Sequence, residues 1–77
     1  MSIDGNSIAA RLRGLQEHAH AAVVEEATDK IGRGQTLDRI DITALDKAAS
    51  QIKALYGDAV AGIAIDLLAF IEENKSS

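Results

Sequence analysis

Cysteine, proline and tryptophan are absent from this chain, and aromatic residues make up 3% of it, namely Tyr56 and Phe70. Without cysteine there are no disulfides to prop a domain below ~80 residues, which leaves metals, oligomerisation, partner binding or tight helix packing to do that work. With so few aromatic rings, stacking on nucleic-acid bases has no platform. A basic stripe is missing too: 8 Lys plus Arg stand against 12 Asp plus Glu, a net charge of −4, with Arg11, Arg13, Lys30, Arg33 and Arg39 scattered before residue 40. Phosphate neutralisation supplies most non-specific affinity for nucleic acid, so no nucleic-acid partner is expected. The longest apolar run, Ala59 to Ile71, is interrupted by Asp66. It falls short of the roughly 18 to 20 residues of a bilayer span, so no membrane partner is expected. The first residues, Met1-Ser2-Ile3-Asp4-Gly5-Asn6, have neither the basic nor the apolar region of a secretory signal, and the expected location is cytoplasmic.

What is present is ordinary for a folded protein: 77 residues, 47% hydrophobic and 26% charged. This fits one small domain covering residues 1–77, not an intrinsically disordered chain. From Ser7 to about Ile31, apolar residues recur at Ile8, Leu12, Leu15, Ala19, Ala22 and Val23, a spacing that predicts an amphipathic helix. Asn6 or Ser7 is its candidate N-cap, and Gly32 and Gly34 supply the stop. The polar cluster Glu25, Glu26, Asp29 and Lys30 suggests that its last two turns project beyond the core and fray. Residues 32 to 41 read as a loop in which Leu37 and Ile40 tuck inward. A second helix is expected from near Ile42, capped by Asp41 or Thr43, with Thr43 and Asp46 as a box-like pair.

Ile42, Leu45, Ala49, Ile52, Tyr56, Val60, Ile63, Leu67 and Ile71 keep helical spacing across Gly57. That periodicity favours one helix over about 42 to 74. Gly57-Asp58 also reads as a helix stop followed by an N-cap, which would divide the segment. The fold class is all-α in either case. It is an antiparallel helical hairpin with a long second helix, or a three-helix bundle if the chain breaks at Gly57. The stretch from Ala59 to Ile71 is apolar nearly all round, with Ile65 and Leu68 facing away from the stripe of Ile63 and Leu67. A helix of that kind needs cover on most sides. A homodimer forming a four-helix bundle is the simplest cover, and a different protein is the other.

Chemistry-bearing motifs are sparse. Glu17 and His20 have the Glu-x-x-His spacing found in di-iron carboxylate bundles. On a single helix phased from Ile8, however, they fall about 180° and 120° round, outside the apolar stripe. His18 and His20 are not the i, i+4 pair that holds zinc on a helix, so no metal ligand and no cofactor is assigned. Gly32-Arg33-Gly34 lacks both the preceding strand and the Gly-Lys-Ser/Thr ending of a phosphate loop. Asp66, the lone charge in the apolar run, is expected at the rim, or opposite Arg or Lys if that side is covered. No nucleophile, base and orienting group suggest themselves, and the chain is read as not an enzyme.

The sequence therefore points to a non-catalytic helical interaction module, a small regulatory inhibitor or adaptor that binds a protein by apolar helix packing. The expected partner-binding residues are Tyr56, Val60, Ile63, Leu67, Phe70 and Ile71. Arg11, Arg13 and Glu17 take that role if a homodimer consumes the first set. The alternatives are a metal-binding four-helix bundle using Glu17 and His20, and an acidic mimic of nucleic acid.

Overall fold

Asp4 is the N-cap of the first helix, its side chain accepting a hydrogen bond from the Asn6 amide at 3.0 Å, ahead of the Asn6 or Ser7 cap expected. The computed structural model describes residues 4–75 and is all-α. Four helices follow in order: α1 (Gly5–Gly14), α2 (His18–Gly32), α3 (Arg39–Tyr56) and, after a 3-10 turn at Gly57–Val60, α4 (Ala61–Asn74). Among the described residues the sole β-type pairing is an isolated bridge between Leu37 and Lys75.

The single first helix expected over 7 to 31 is two helices. Glycine at position 14 weakens the helix end, and Gln16 turns into the left-handed region at φ 62. The Gln16 amide then bonds the Arg13 carbonyl and the Glu17 amide bonds the Leu12 carbonyl, both at 2.9 Å. This paired closure is the Schellman arrangement, and it satisfies carbonyls that a helix end would leave open. The chain uses the same device at the end of α2, where Gly34 at φ 82 takes the left-handed position. The end of α2 does not fray or project: Ala27 is buried, and Lys30 reaches Asp41 at 2.6 Å and Asp38 at 3.3 Å across the loop.

α3 starts at Arg39, three residues before the expected Ile42, because Asp38 and Asp41 form the capping box rather than Thr43 and Asp46. The Asp38 side chain accepts from the Asp41 amide at 3.0 Å and the Asp41 side chain accepts from the Asp38 amide at 3.1 Å. At its other end the chain breaks at Gly57, with φ 59 and ψ −139, and α4 folds back against α3. The long continuous second helix favoured by periodicity is thus replaced by the division that Gly57-Asp58 also allowed. Size alone requires it: a straight helix over the 36 residues Arg39–Asn74 would run about 54 Å, whereas the molecule's longest dimension is 32 Å. That stretch is long and apolar enough to cross a membrane by length and composition. As folded, α4 alone reaches only about 21 Å, short of the ~30 Å hydrocarbon layer.

The core is shared by all four helices and the loop before α3. Ile8 and Leu12 from α1, Val24 from α2, Leu37 from the loop, Leu45 and Ile52 from α3 and Leu67 from α4 are fully buried. α4 packs on α3 and α1, so much of the apolar surface that appeared to need a second molecule is covered within one chain. Close packing at the start of α1 is made possible by Gly5, where a Cβ would lie 1.9 Å from Thr28 Oγ1 and 2.9 Å from the Phe70 ring. The accessible surface of 4773 Å² is near the ~4,500 Å² that the size scaling gives for a compact monomer of this mass. The buried core is therefore enclosed by helices of one chain. The molecule's departures from a sealed surface are local.

Candidate functional site

Burial divides the expected partner-binding residues into two groups. Ile63, Leu67, Phe70 and Ile71 lie in the intramolecular core, with exposures of 7% or less, and Tyr56 and Val60 pack against it half-buried. Ile63, Leu67, Phe70 and Ile71 are covered within the chain, on the helix that packs against α1 and α3, and present little surface to a second molecule. The large apolar side chains that α4 leaves in water are Ile65, 63% exposed, and Leu68, 47% exposed. One turn apart, they form a ridge with the half-buried Ala61 before them and the exposed Glu72 after them. These were the residues seen to point away from the Ile63–Leu67 stripe.

Arg11, Arg13 and Glu17 are each engaged in a polar contact between elements. The Arg11 guanidinium pairs with Asp66, tying α1 to α4 beside the ridge and giving Asp66 the cationic neighbour its position called for. Arg13 Nε donates to Glu25 at 3.0 Å, and a second guanidinium nitrogen bonds the other Glu25 oxygen, a two-pronged pairing between α1 and α2. It holds the Glu25 carboxyl below the ordinary glutamate range and pushes Arg13 up.

Glu17 lies at the centre of a half-buried network. The Tyr56 hydroxyl donates to Glu17 Oε2 at 2.8 Å, His20 Nδ1 lies 3.1 Å from Glu17 Oε1, and His20 Nε2 lies 2.7 Å from Gln51 Oε1. The hydrogen bond to the Glu17 carboxylate, together with burial, holds the Tyr56 phenol protonated above its usual range. Glu17 and His20 do not face outward as a single-helix wheel implied. The break at Gln16 resets the helical phase, so both turn onto α3. Their metal-competent atoms are directed at one another, at Tyr56 and at Gln51. Among the described residues no group of three or more His, Asp or Glu gathers for a metal ion.

Several acidic side chains are matched to cations. Besides the pairs above, Asp29 bonds Arg33 at 3.0 Å and Glu72 bonds Lys75 at 3.0 Å.

One surface feature was missed at the sequence level. Ile40, expected to tuck inward with Leu37, is 79% exposed, whereas Leu37 is fully buried. Because α3 begins at Arg39, Ile40 belongs to its first turn and stands on the flank facing α2. There it borders a depression of about 170 Å³ with Val23 and Ala27 of α2 and Ala44 of α3. Spacing offers a signal in hindsight: Ile40 is out of phase with Leu45, Ala49 and Ile52, the buried stripe of α3. The chain matches no protein-family model, no curated protein and no solved structure.

Proposed function

We propose that this chain is a non-catalytic helical interaction module, a small regulatory inhibitor or adaptor, and that it docks to protein through the α4 ridge of Ile65 and Leu68. The observation that carries this reading is the exposure of two neighbouring large aliphatic side chains on a helix whose opposite face already fills a closed core. In the monomer the greater part of Ile65 and nearly half of Leu68 stay in water. Full burial of an aliphatic side chain yields about 1.5 to 3 kcal/mol, so covering the pair contributes usefully to a complex. Arg11 and Asp66 fix α1 beside the ridge, and the rigid neighbouring helix lowers the entropy lost on docking. The half-buried Glu17, His20, Tyr56 and Gln51 network is read as a structural tie between α2 and α3, because its groups spend their hydrogen bonds on one another.

The test is site-specific photo-crosslinking in the cells that make the protein. A photoreactive amino acid replacing Ile65 is expected to give discrete protein adducts that Leu68→Asp abolishes. The same group replacing Ser50, an exposed polar position on α3, is expected to give none. Equal yields from the two positions would overturn the reading.

A further inference from the structure

Among the described residues the large exposed apolar side chains are Ile40, Leu55, Ile65 and Leu68, and those on α4 form a ridge whereas Ile40 borders a groove. Resting on the docking role of α4 set out above, we propose that the Ile65–Leu68 ridge of one copy seats in the α2–α3 groove of a second copy, giving head-to-tail self-association.

The groove has the properties such a ridge requires. Its apolar lining is Val23, Ala27, Ile40 and Ala44, with Glu26 and Asp41 also bordering it, and it continues past Ile40 into a wider, shallow depression of about 440 Å³ bordered by Arg39, Thr43 and Lys47. An apolar trough between two helices receives one face of an incoming helix by its i, i+3 side chains, and Ile65 and Leu68 have that spacing. Ile40 is the most exposed large hydrophobic residue described, and a docked ridge would cover it.

Charge favours the same pairing. Arg39 and Lys47 sit on the α3 rim, and neither has an ion-pair partner among the described residues. The ridge carries its carboxylate, Glu72, one turn after Leu68, held only by the exposed i, i+3 pair with Lys75. Such exposed pairs are worth little, so Glu72 exchanges partners at small cost. The α2 wall contributes Glu26 and the α3 wall also carries Asp41, whose charge Lys30 matches at 2.6 Å, so the unpaired positive charge of Arg39 and Lys47 lies on the α3 side alone and orients the incoming helix with its Glu72 end toward α3. Within one copy the two surfaces cannot meet, because α4 packs on α1 and α3 while the groove opens between α2 and α3. The contact joins unlike patches, so it is heterologous and can continue from copy to copy instead of closing about a two-fold axis.

Complementation in sedimentation tests this. Wild-type protein is expected to gain mass beyond a dimer as concentration rises from micromolar to millimolar. Leu68→Asp, which spoils the ridge, and Ile40→Asp, which spoils the groove, are each expected to stay at the 8.1 kDa monomer mass. Both positions are exposed, and unchanged helical circular dichroism and melting check that each variant folds. An equimolar mixture is expected to form a one-to-one dimer and nothing larger, since one intact ridge meets one intact groove. Lys47→Glu is expected to weaken association, and mixing it with Glu72→Lys to restore it. A wild-type chain that stays monomeric at millimolar concentration overturns the proposal. So does Ile40→Asp that associates as wild type does, or a mixture that fails to complement. If Leu68→Asp alone blocks association, the docking role of α4 stands while the groove loses its part. Failure of both would appear as loss of the crosslink at position 65 as well.

Discussion

Gln16 holds a backbone conformation, φ 62, that side chains with a Cβ adopt at a cost of about 1 to 2 kcal/mol. It is tolerated because the two closing hydrogen bonds to Leu12 and Arg13 and the burial of Leu12 and Ala21 on either side of the turn fix the path of the chain. Gln16→Gly removes the steric cost and adds some chain entropy to the unfolded state. The expected net gain is up to about 1 kcal/mol, which in a domain of this size raises the melting temperature by roughly 4 to 8 °C. A calorimetric scan that shows no rise or a fall would mean that the Gln16 side chain contributes something its geometry does not reveal. This residue also explains a limit of sequence reading. The apolar spacing of Ile8, Leu12 and Leu15 continues through Ala19 and Ala22 as if no turn existed, and the left-handed residue is Gln16 instead of Gly14, two residues before it. The position of the turn depends on where α2 finds its packing, which local spacing does not encode. Glu17 and His20, two residues of chemical interest, were therefore assigned to the wrong side.

At the scale of elements, the joint between α3 and α4 is the sharper case. Leu45, Ala49 and Ile52 before Gly57 and Ile63, Leu67 and Ile71 after it keep helical spacing, yet the two sets face the same core from antiparallel directions. Periodicity across a short 3-10 turn cannot distinguish a straight helix from a folded hairpin, because both place the same apolar residues on one face of each helical segment. The decision belongs to Gly57, whose φ 59 and ψ −139 mirror the ordinary extended region and are closed to residues with a Cβ. No neighbouring atom lies within 4 Å of the position a Cβ would occupy, so the penalty at this site is conformational rather than steric crowding. Gly57→Ala is expected to cost about 1 to 3 kcal/mol. It also favours a straight helix through the joint, which would expose Leu67 and Ile71. The expected outcome is a lower melting temperature and, for the opened population, mass growth through the released apolar faces. A variant as stable as wild type, with unchanged mass, would show that the joint does not depend on glycine. The all-α class was legible from spacing and glycine placement, whereas the break at Gln16 was not and the one at Gly57 was only one of two readings. The caps were less legible, because Asp38 and Asp41 acquire their box only with Leu37 anchored inside.

Across the whole molecule, ion pairs join helices that also share the core: Arg13 with Glu25 between α1 and α2, Lys30 with Asp38 and Asp41 between α2 and α3, and Arg11 with Asp66 between α1 and α4. The exposed ridge residues Ile65 and Leu68 could be seen in the sequence as apolar positions off the stripe. Which apolar residues would remain free could not, because that depends on how many helices enclose α4. Acid titration tests how far the pairs hold the helices together. Asp38 is held below the ordinary aspartate range, first by the Asp41 backbone amide and then by Lys30, and Glu25 is held below the glutamate range by the Arg13 guanidinium. A carboxyl with a lowered folded-state value binds fewer protons folded than unfolded. Its contribution to stability is therefore complete above the ordinary range near pH 4 and is lost as pH falls through the lowered value. Protonation also relieves repulsion within a chain of net charge −4, an effect of opposite sign. These exposed pairs are individually weak, but they act between elements already in contact, and protonation turns the chain strongly cationic once its carboxylates are neutral. The melting temperature is therefore expected to stay level from pH 7 to about pH 5 and to fall below about pH 4, with a shallower fall in Glu25→Gln, which has no carboxylate to lose at that position. A melting temperature that rises on acidification from pH 5 to pH 3 would show that charge repulsion outweighs the ties between helices. Identical acid profiles for wild type and Glu25→Gln would show that the α1–α2 pair carries none of the acid sensitivity.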